Sequence, residues 1–270
     1  MSEPFRFDNL EAFSVYAQKK FTPGDYPNKT IEPHIHDYCE IYVNISGNIS
    51  FVAEKNIYSI SPGDIILTKP HEYHHCVYND QSDHHFYLIN FSPNENPAFF
   101  SFLLEKEVGE SNHIRLSENK AKKFLTLCEE ISRPDTNRLS YMAAFLKIMA
   151  HLEEGMTKYS STDTTADIPI ILKNILDYIN NNCSSISTIR EVADEFYISL
   201  STIERYFKKY LSMTPKRYLE DKKLQKACIL LEQQYKVIDA CFESGFTDYS
   251  HFISVFKKKF KTTPMKYKNR

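Results

Sequence analysis

The sequence has no tryptophan and only six glycines in 270 residues. The glycines (Gly24, Gly47, Gly63, Gly109, Gly155 and Gly245) are nowhere clustered. A P-loop, a G-x-G-x-x-G dinucleotide turn and a G-x-S-x-G nucleophile elbow are therefore excluded. The six cysteines, Cys39, Cys76, Cys128, Cys183, Cys228 and Cys241, form no C-x-x-C pair. That argues against a disulfide framework or a zinc ribbon, and for reduced thiols in the cytoplasm. No apolar run approaches the ~20 residues of a membrane span. The opening Met1-Ser-Glu-Pro-Phe5 lacks the basic and then apolar pattern of a secretory signal. A cytoplasmic protein with no membrane partner is expected.

Neither sign of charge dominates, since 33 basic and 35 acidic residues give −2. The balance is uneven along the chain, however. Residues 168–270 hold 18 Lys/Arg and 11 Asp/Glu, a net +7, whereas residues 1–167 hold 15 and 24, a net −9. An acidic half joined to a basic half indicates two domains with different partners, the basic one suited to a polyanion. Hydrophobic content of 42% with 25% charged residues is enough to bury a core.

The first hundred residues read as β-structure. Ile41, Val43 and Ile45 alternate with Tyr42, Asn44 and Ser46, Gly47-Asn48 makes a turn, and Ile49, Phe51 and Ala53 resume the alternation. Ser61-Pro-Gly-Asp64 is a second tight turn, and His85–Phe91 is apolar on both faces. Short strands at this spacing suggest a sandwich or small barrel. From Ser117 the period becomes helical, with Phe124, Leu125, Cys128 and Ile131, then Met142, Phe145, Leu146 and Met149. Arg133-Pro134-Asp135 separates the two helices. Ser160–Asp167 is small, polar and without periodicity, as expected of a linker. The division is thus 1–158, linker 159–167, and 168–270.

The basic half contains a repeat. Phe207-Lys-Lys-Tyr-Leu-Ser-Met-Thr-Pro-Lys-Arg-Tyr218 and Phe256-Lys-Lys-Lys-Phe-Lys-Thr-Thr-Pro-Met-Lys-Tyr267 share Phe, Lys, Lys, Thr, Pro and Tyr at matching places. Each copy has helix-turn-helix grammar. Thr188-Ile-Arg-Glu191 is a capping box, Ala193 is small enough for close helix packing, and Ser199 caps the next helix. In the second copy Cys241 is the small position, Gly245 suits a left-handed turn and Asp248 caps the following helix. Thr214-Pro215 and Thr263-Pro264 each place a capping Thr before Pro at the first helical position. Between the copies, Pro215 to about Gln233 reads as one helix of roughly 28 Å. That is close to the ~34 Å between successive major grooves.

Candidate DNA-contacting residues are Ser201, Thr202, Glu204, Arg205, Lys208 and Lys209 on the first recognition helix. On the second they are Tyr249, Ser250, His251, Ser254, Lys257 and Lys258. Arg205 suits bidentate guanine recognition, and the lysines suit phosphates. A solvated lysine-rich face is the plainer reading of either copy alone; two copies about one groove repeat apart favour double-stranded DNA.

Residues from about 170 onward resemble the DNA-binding domain of AraC/XylS-type transcriptional regulators. The resemblance rests on Ala193, Ser199, Ile203, Arg205 and Phe207-Lys208, on Pro215, Tyr218-Leu219, Ala227 and Leu230-Leu231, and most on Gly245-Phe-Thr-Asp-Tyr-Ser-His-Phe252, Phe256-Lys-Lys258, Thr263-Pro264 and Tyr267. The family often carries Arg just before the second Phe-Lys pair, where this chain has Ser254. The second helix is therefore expected to give phosphate contacts and weak readout through Ser250 and His251.

The resemblance extends to the front half as a cupin-like effector domain, carried by His34-Ile-His36-Asp-Tyr-Cys-Glu40, Gly47, Gly63, Pro70 and His75. Asn28 stands where a Gly would precede the first His. In cupin enzymes such a His-x-His, Glu and later His hold a divalent metal; in regulators of this family the shell commonly serves without one. The implied architecture is α+β: a cupin-like β-barrel with dimerisation helices, then an all-α domain of two helix-turn-helix units joined by a linker helix. The expectation is a small-molecule effector held by His34, His36, Glu40, His75 and Tyr87, with no metal, no cofactor and no catalysis. His71, His74, His84 and His85 read as surface or core histidines. The aromatic residues of this half suit a sugar or another small polar ligand, and equally a plain core. The helices over 118–153 either pair two subunits, as in the family, or pack on their own barrel. The chain thus reads as a transcriptional regulator, more in the manner of an activator, with a homodimeric state and RNA polymerase as further expected partners. The rivals are a metal-dependent cupin enzyme with a helical interaction domain, and a structural nucleic-acid binder without an effector.

Overall fold

The computed structural model describes residues 13–21, 33–80, 82–93, 97–133, 136–159 and 168–269. The expected linker residues 160–167, the Pro134-Asp135 break and Asn28 lie outside them. The strands are β1 (Phe13–Phe21), β2 (Cys39–Ser46), β3 (Ile49–Ala53), β4 (Asn56–Ile60), β5 (Asp64–Thr68), β6 (His74–Tyr78), β7 (His84–Phe91) and β8 (His113–Arg115). They form a five-stranded sheet in the order β1-β7-β2-β5-β8 and a three-stranded sheet in the order β4-β3-β6. Gly47, at φ +104°, turns β2 into β3, so the chain crosses between the sheets where the sequence places a turn.

Because strand side chains alternate, each sheet has an inner and an outer face. Tyr42, Phe51, Tyr58, Ile66, Cys76 and Phe86 meet between the sheets. Ile41, Val43, Ile65, Leu67, Ile89 and Phe91 face the other way. After α1 (Ser101–Leu104), two long helices cover this second set: α2 (Glu118–Ile131) and α3 (Arg138–Tyr159). Phe124 and Cys128 of α2, with Phe145, Ile148 and Leu152 of α3, pack onto it. The apolar stripes of these helices are thus consumed by their own barrel.

The helical half comprises α4 (Ile170–Asn182), α5 (Ile189–Glu195), α6 (Leu200–Tyr206), α7 (Pro215–Glu232), α8 (Val237–Glu243), α9 (Tyr249–Phe260) and α10 (Pro264–Lys268). A π-helical turn, Phe207–Leu211, extends α6. The expected caps form: backbone N–H groups of Glu191, Thr202, Arg217, His251 and Lys266 donate to the side chains of Thr188, Ser199, Thr214, Asp248 and Thr263. Glu191 reaches back to the Ser187 N–H, one residue before the position a capping box would use. Among the described residues no helix is long and apolar enough to cross a membrane.

The two helix-turn-helix units are built differently. The second has its own core, in which Leu224, Ala227, Leu231, Ala240, Cys241, Phe252 and Phe256 meet. The core of the first, with Ile175, Leu176, Val192, Ile203, Phe207 and Tyr218, runs on without a break into Ile35, Val52, Ile57, Tyr73 and Val77 of the barrel. The outer face of the small sheet is therefore covered by the first helix-turn-helix unit.

Gly245 has φ +92°, and a Cβ there would lie 2.5 Å from both the Cα and the carbonyl oxygen of Ser184. Gly63 has φ +90°, but its nearest neighbour would be the Ala121 Cβ at 3.9 Å. Gly245→Ala is expected to lose about 2 kcal/mol or more in denaturant unfolding, and Gly63→Ala about 1 kcal/mol, from backbone strain alone. Equal losses would show that the Ser184 contact is not a constraint.

Candidate functional site

The barrel interior holds a cavity of about 210 Å³. Its lining includes His34, Glu40, Tyr42, Phe51, His74 and Phe86. His34 and His74 are tied by two backbone hydrogen bonds of 3.1 Å, which bring the loop before β2 alongside β6. The ligand atoms of His34, His36, Glu40 and His74 all lie within 4.8 Å of one another. His36 stacks on Tyr38 with ring centroids 3.6 Å apart. Its Nδ1–H donates to the Tyr38 carbonyl at 2.9 Å, and the Nδ1–H of His74 donates to the Glu72 carbonyl at 2.8 Å.

Electrostatics follow from this packing. Burial alone would raise the Glu40 carboxyl, but His74 and His36 outweigh it and hold the group well below the usual carboxylate range. Burial lowers His36. At His74 burial is opposed and overcome by the Glu40 carboxylate, so its pKa is raised. The Tyr42 hydroxyl lies 2.5 Å from His84 Nε2, and burial pushes His84 down to about 4.

Of the sequence-derived effector residues, Tyr87 faces elsewhere and His75 reaches the cavity lining only with its hydrogen-bonding edge turned away. His75 precedes Cys76 and follows His74 on β6, and both of those neighbours point inward. Although His75 borders the cavity wall, its Nε2–H donates 2.9 Å to the Leu211 carbonyl, at the end of the π-helical turn. Burial there lowers its pKa to about 3. His74 fills the place expected for His75. Tyr87 likewise packs with the helix-covered core, while its neighbours Phe86 and Leu88 line the cavity. Both corrections have one physical cause, the two-residue period of a strand. His71 bonds Glu232 at 2.8 Å across to α7, so it belongs to the junction between the halves.

That junction is polar at its centre. Glu54, 4% exposed, sits at φ +54° in the β3–β4 turn and accepts from the Tyr73 N–H at 2.7 Å. Lys222 and Gln225 of α7 bind the same carboxylate, Gln225 at 2.7 Å. Gln225 also donates to the His71 carbonyl. Lys259 of α9 bonds Asp221 at 2.7 Å and the Pro33 carbonyl at 2.8 Å. Sequence reading missed this set. Its trace is a second stripe on α7, Tyr218, Asp221, Lys222 and Gln225, at helical spacing but mostly polar. Removing Lys222 would strand a buried carboxylate. Lys222→Met is expected to cost about 3–5 kcal/mol in chemical denaturation, with most of it restored by adding Glu54→Gln. No rescue by the second change would mean that the pair is not the source of the loss.

The recognition helices present the expected faces. Ser201, Glu204, Arg205, Lys208 and Lys209 are exposed around buried Ile203 and Phe207, and Thr202 is half-buried with its hydroxyl 2.8 Å from Ser199 Oγ. Tyr249, Ser250, His251, Ser254, Lys257 and Lys258 are exposed around buried Phe252 and Phe256. The His251 ring lies 3.0 Å from Glu220 of α7. Lys259, next in the run, is turned inward as described.

A barrel with an interior cavity lined by both apolar and polar side chains, joined to two capped helix-turn-helix units, defines the class of ligand-sensing DNA-binding proteins. Residues 23–134 match the AraC-like ligand binding domain and residues 192–270 a helix-turn-helix domain. The chain is 27% identical over 268 residues to the HTH-type transcriptional activator RhaS of Yersinia pseudotuberculosis, covering 95% of this chain and 96% of that one. It is 25% identical over 267 residues to RhaS of an Enterobacter species, covering 90% and 93%. A crystal structure of ToxT from Vibrio cholerae aligns at 14% identity over 96% of this chain and 97% of its own, with a TM-score of 0.39. The chain belongs to the AraC/XylS family of transcriptional regulators.

Proposed function

We propose that the protein is a cytoplasmic transcription activator that binds double-stranded promoter DNA through both helix-turn-helix units and responds to a small molecule in the barrel. The observation that carries this reading is the pair of recognition helices, each anchored by buried phenylalanines and each presenting exposed basic and polar side chains. The net +7 of residues 168–270 supplies attraction to phosphate. The relatives' name, transcriptional activator, supports the sign of regulation. That name speaks against the metal-dependent enzyme, and the match to the AraC-like ligand binding domain speaks against the effector-free structural binder.

In this reading residues 1–158 form the sensor, 159–167 the linker and 168–270 the DNA-binding domain. The effector site is His34, His36, Glu40 and His74 with Tyr42, Phe51 and Phe86. A cavity of about 210 Å³ suits an occupant below the ~300–1,000 Å³ of drug-sized pockets, a small polar molecule such as a sugar fragment included. Occupancy is transmitted along β6, where His74 faces the cavity and His75 holds the end of the first recognition helix. Such a ligand acts by favouring one arrangement of the DNA-reading units. A second copy of the chain is the expected partner. Because the stripes of α2 and α3 are spent on their own sheet, pairing would use outward residues such as Leu139, 79% exposed. RNA polymerase is the further partner of an activator.

Two substitutions test the DNA interface. Arg205→Ala is expected to weaken binding to the selected operator by ~1–3 kcal/mol and to relax discrimination at one base pair. An equal loss on all sequences would remove Arg205 from base readout. Lys257→Ala is expected to lower affinity on every sequence and to reduce the salt slope by about 1. An unchanged slope would mean that this lysine does not neutralise a phosphate. The operator itself comes from selection of bound fragments out of a random DNA pool, and failure to enrich any sequence counts against the proposed function.

A further inference from the structure

We propose that Tyr197, in the turn that joins α5 to α6, holds a DNA phosphate through its phenol hydroxyl. The proposal rests on reading α6 as a recognition helix, and it adds a contact that lies outside both recognition helices.

The two helix-turn-helix units close their leading helices in the same way. In the first, the Tyr197 N–H donates to the Asp194 carbonyl at 3.2 Å and the Ile198 N–H to the Ala193 carbonyl at 3.0 Å. In the second, the Gly245 N–H donates to the Phe242 carbonyl at 2.9 Å and the Phe246 N–H to the Cys241 carbonyl at 3.1 Å. Each pair of bonds is a Schellman closure, which needs a left-handed residue directly after the helix cap. That residue is Gly245 at φ +92° in the second unit and Tyr197 at φ +53° in the first. Glycine adopts this conformation without penalty, whereas a bulky side chain there is strained. In the second unit a side chain is barred, since a Cβ on Gly245 would lie 2.5 Å from the Ser184 carbonyl oxygen. Only the first unit has room for an arm at this place.

Within the chain nothing offsets that strain. Tyr197 is 96% exposed, more than any other large hydrophobic side chain among the described residues. At that exposure the ring buries almost no apolar surface and the hydroxyl stands in solvent. Strain without an internal gain marks a residue whose partner lies outside the chain. Its location names the partner. Tyr197 stands two residues before Ser199, the cap of α6, and the exposed Ser201 and Arg205 follow on that helix. A docked recognition helix enters the major groove by its N-terminal end, while the helix before it crosses the DNA backbone. The turn between them therefore meets the sugar–phosphate wall of the groove. A tyrosine O–H is one of the side-chain donors that hold phosphate oxygens. The last turn of α5 has no basic residue, so what this turn offers a phosphate is a neutral donor.

The test uses the full-length protein, its selected operator and unrelated duplex DNA of the same length, titrated over a range of salt concentrations. Each preparation is also melted. Tyr197→Gly removes the arm and relieves the strain, and glycine is what the second unit already uses. Its melting temperature is expected to hold or rise by roughly 2–4 °C, while affinity for both DNAs falls at least about tenfold. Tyr197→Phe keeps the ring and loses only the O–H. It is expected to weaken binding by the same factor with an unchanged salt slope, because a neutral donor displaces no counterion. Wild-type affinity in either variant overturns the proposal. A lower melting temperature for Tyr197→Gly overturns it too, since the tyrosine would then serve the fold. A salt slope reduced by about 1 in Tyr197→Phe would replace the neutral hydrogen bond with a charge effect and overturns it as well. Variants that bind DNA like the wild type but transcribe less would assign the tyrosine to polymerase instead. Wild-type protein that binds no DNA removes the regulator and this contact together, whereas unaffected variants of a DNA-binding wild type remove Tyr197 alone.

Discussion

Strand β6 is buried on both of its faces, and the alternation of its side chains ties the sensor to the reader. His74 and Cys76 look into the cavity, while His75 and Val77 look out at the first helix-turn-helix unit. A strand cannot rotate one side chain inward without turning its neighbour outward. His74 on the cavity wall and His75, bonded to the Leu211 carbonyl at the end of the first recognition helix, are thus one peptide apart.

The same constraint shapes the junction. The outer face of the small sheet is apolar, and it lends Val52, Ile57 and Tyr73 to the core of the first unit. At its edge the contact turns ionic. Glu54 is buried, and Lys222, Gln225 and the Tyr73 N–H meet its oxygens. A buried ion pair adds little net stability, but its geometry is strict, because a misplaced partner leaves a charge unpaired. The apolar contact thus supplies adhesion and the Glu54 contact supplies register. Since α7 carries both DNA-reading units, fixing α7 against the barrel fixes where the second unit stands. The second unit has its own core and meets the barrel through polar contacts such as that of Lys259 with the Pro33 carbonyl.

Much of this architecture is legible in the residues themselves. Caps depend on neighbours three positions away, so Ser199, Thr214, Asp248 and Thr263 announce their helices without any tertiary information. The turns at Gly47 and Gly245 follow from local backbone need, and the exposed faces of α6 and α9 follow from the 3.6-residue period around Phe207, Phe252 and Phe256. The pocket was less legible. The seven residues 70–76 offer three histidines, and sequence spacing cannot say which of them looks inward, because a shift of one residue reverses every side chain. Tyr87 failed for the same reason, since both faces of β7 are buried and hydrophobicity alone does not distinguish them.

The sequence by itself determined the elements, their caps, the duplicated reading unit and the sharing of charge between an acidic and a basic half, because each of these is set by local periodicity or by composition. Tertiary structure alone decided that His74 rather than His75 joins His34, His36 and Glu40, and that α2 and α3 spend their stripes on their own sheet. It alone decided, too, that Lys222 and Lys259 leave the basic face to hold the sensor. Those outcomes depend on which surfaces meet across distant stretches of chain, 40 residues from His34 to His74 and 168 from Glu54 to Lys222. A lysine facing phosphate and a lysine facing a buried carboxylate are the same letter in a sequence, and only the partner across the contact tells them apart.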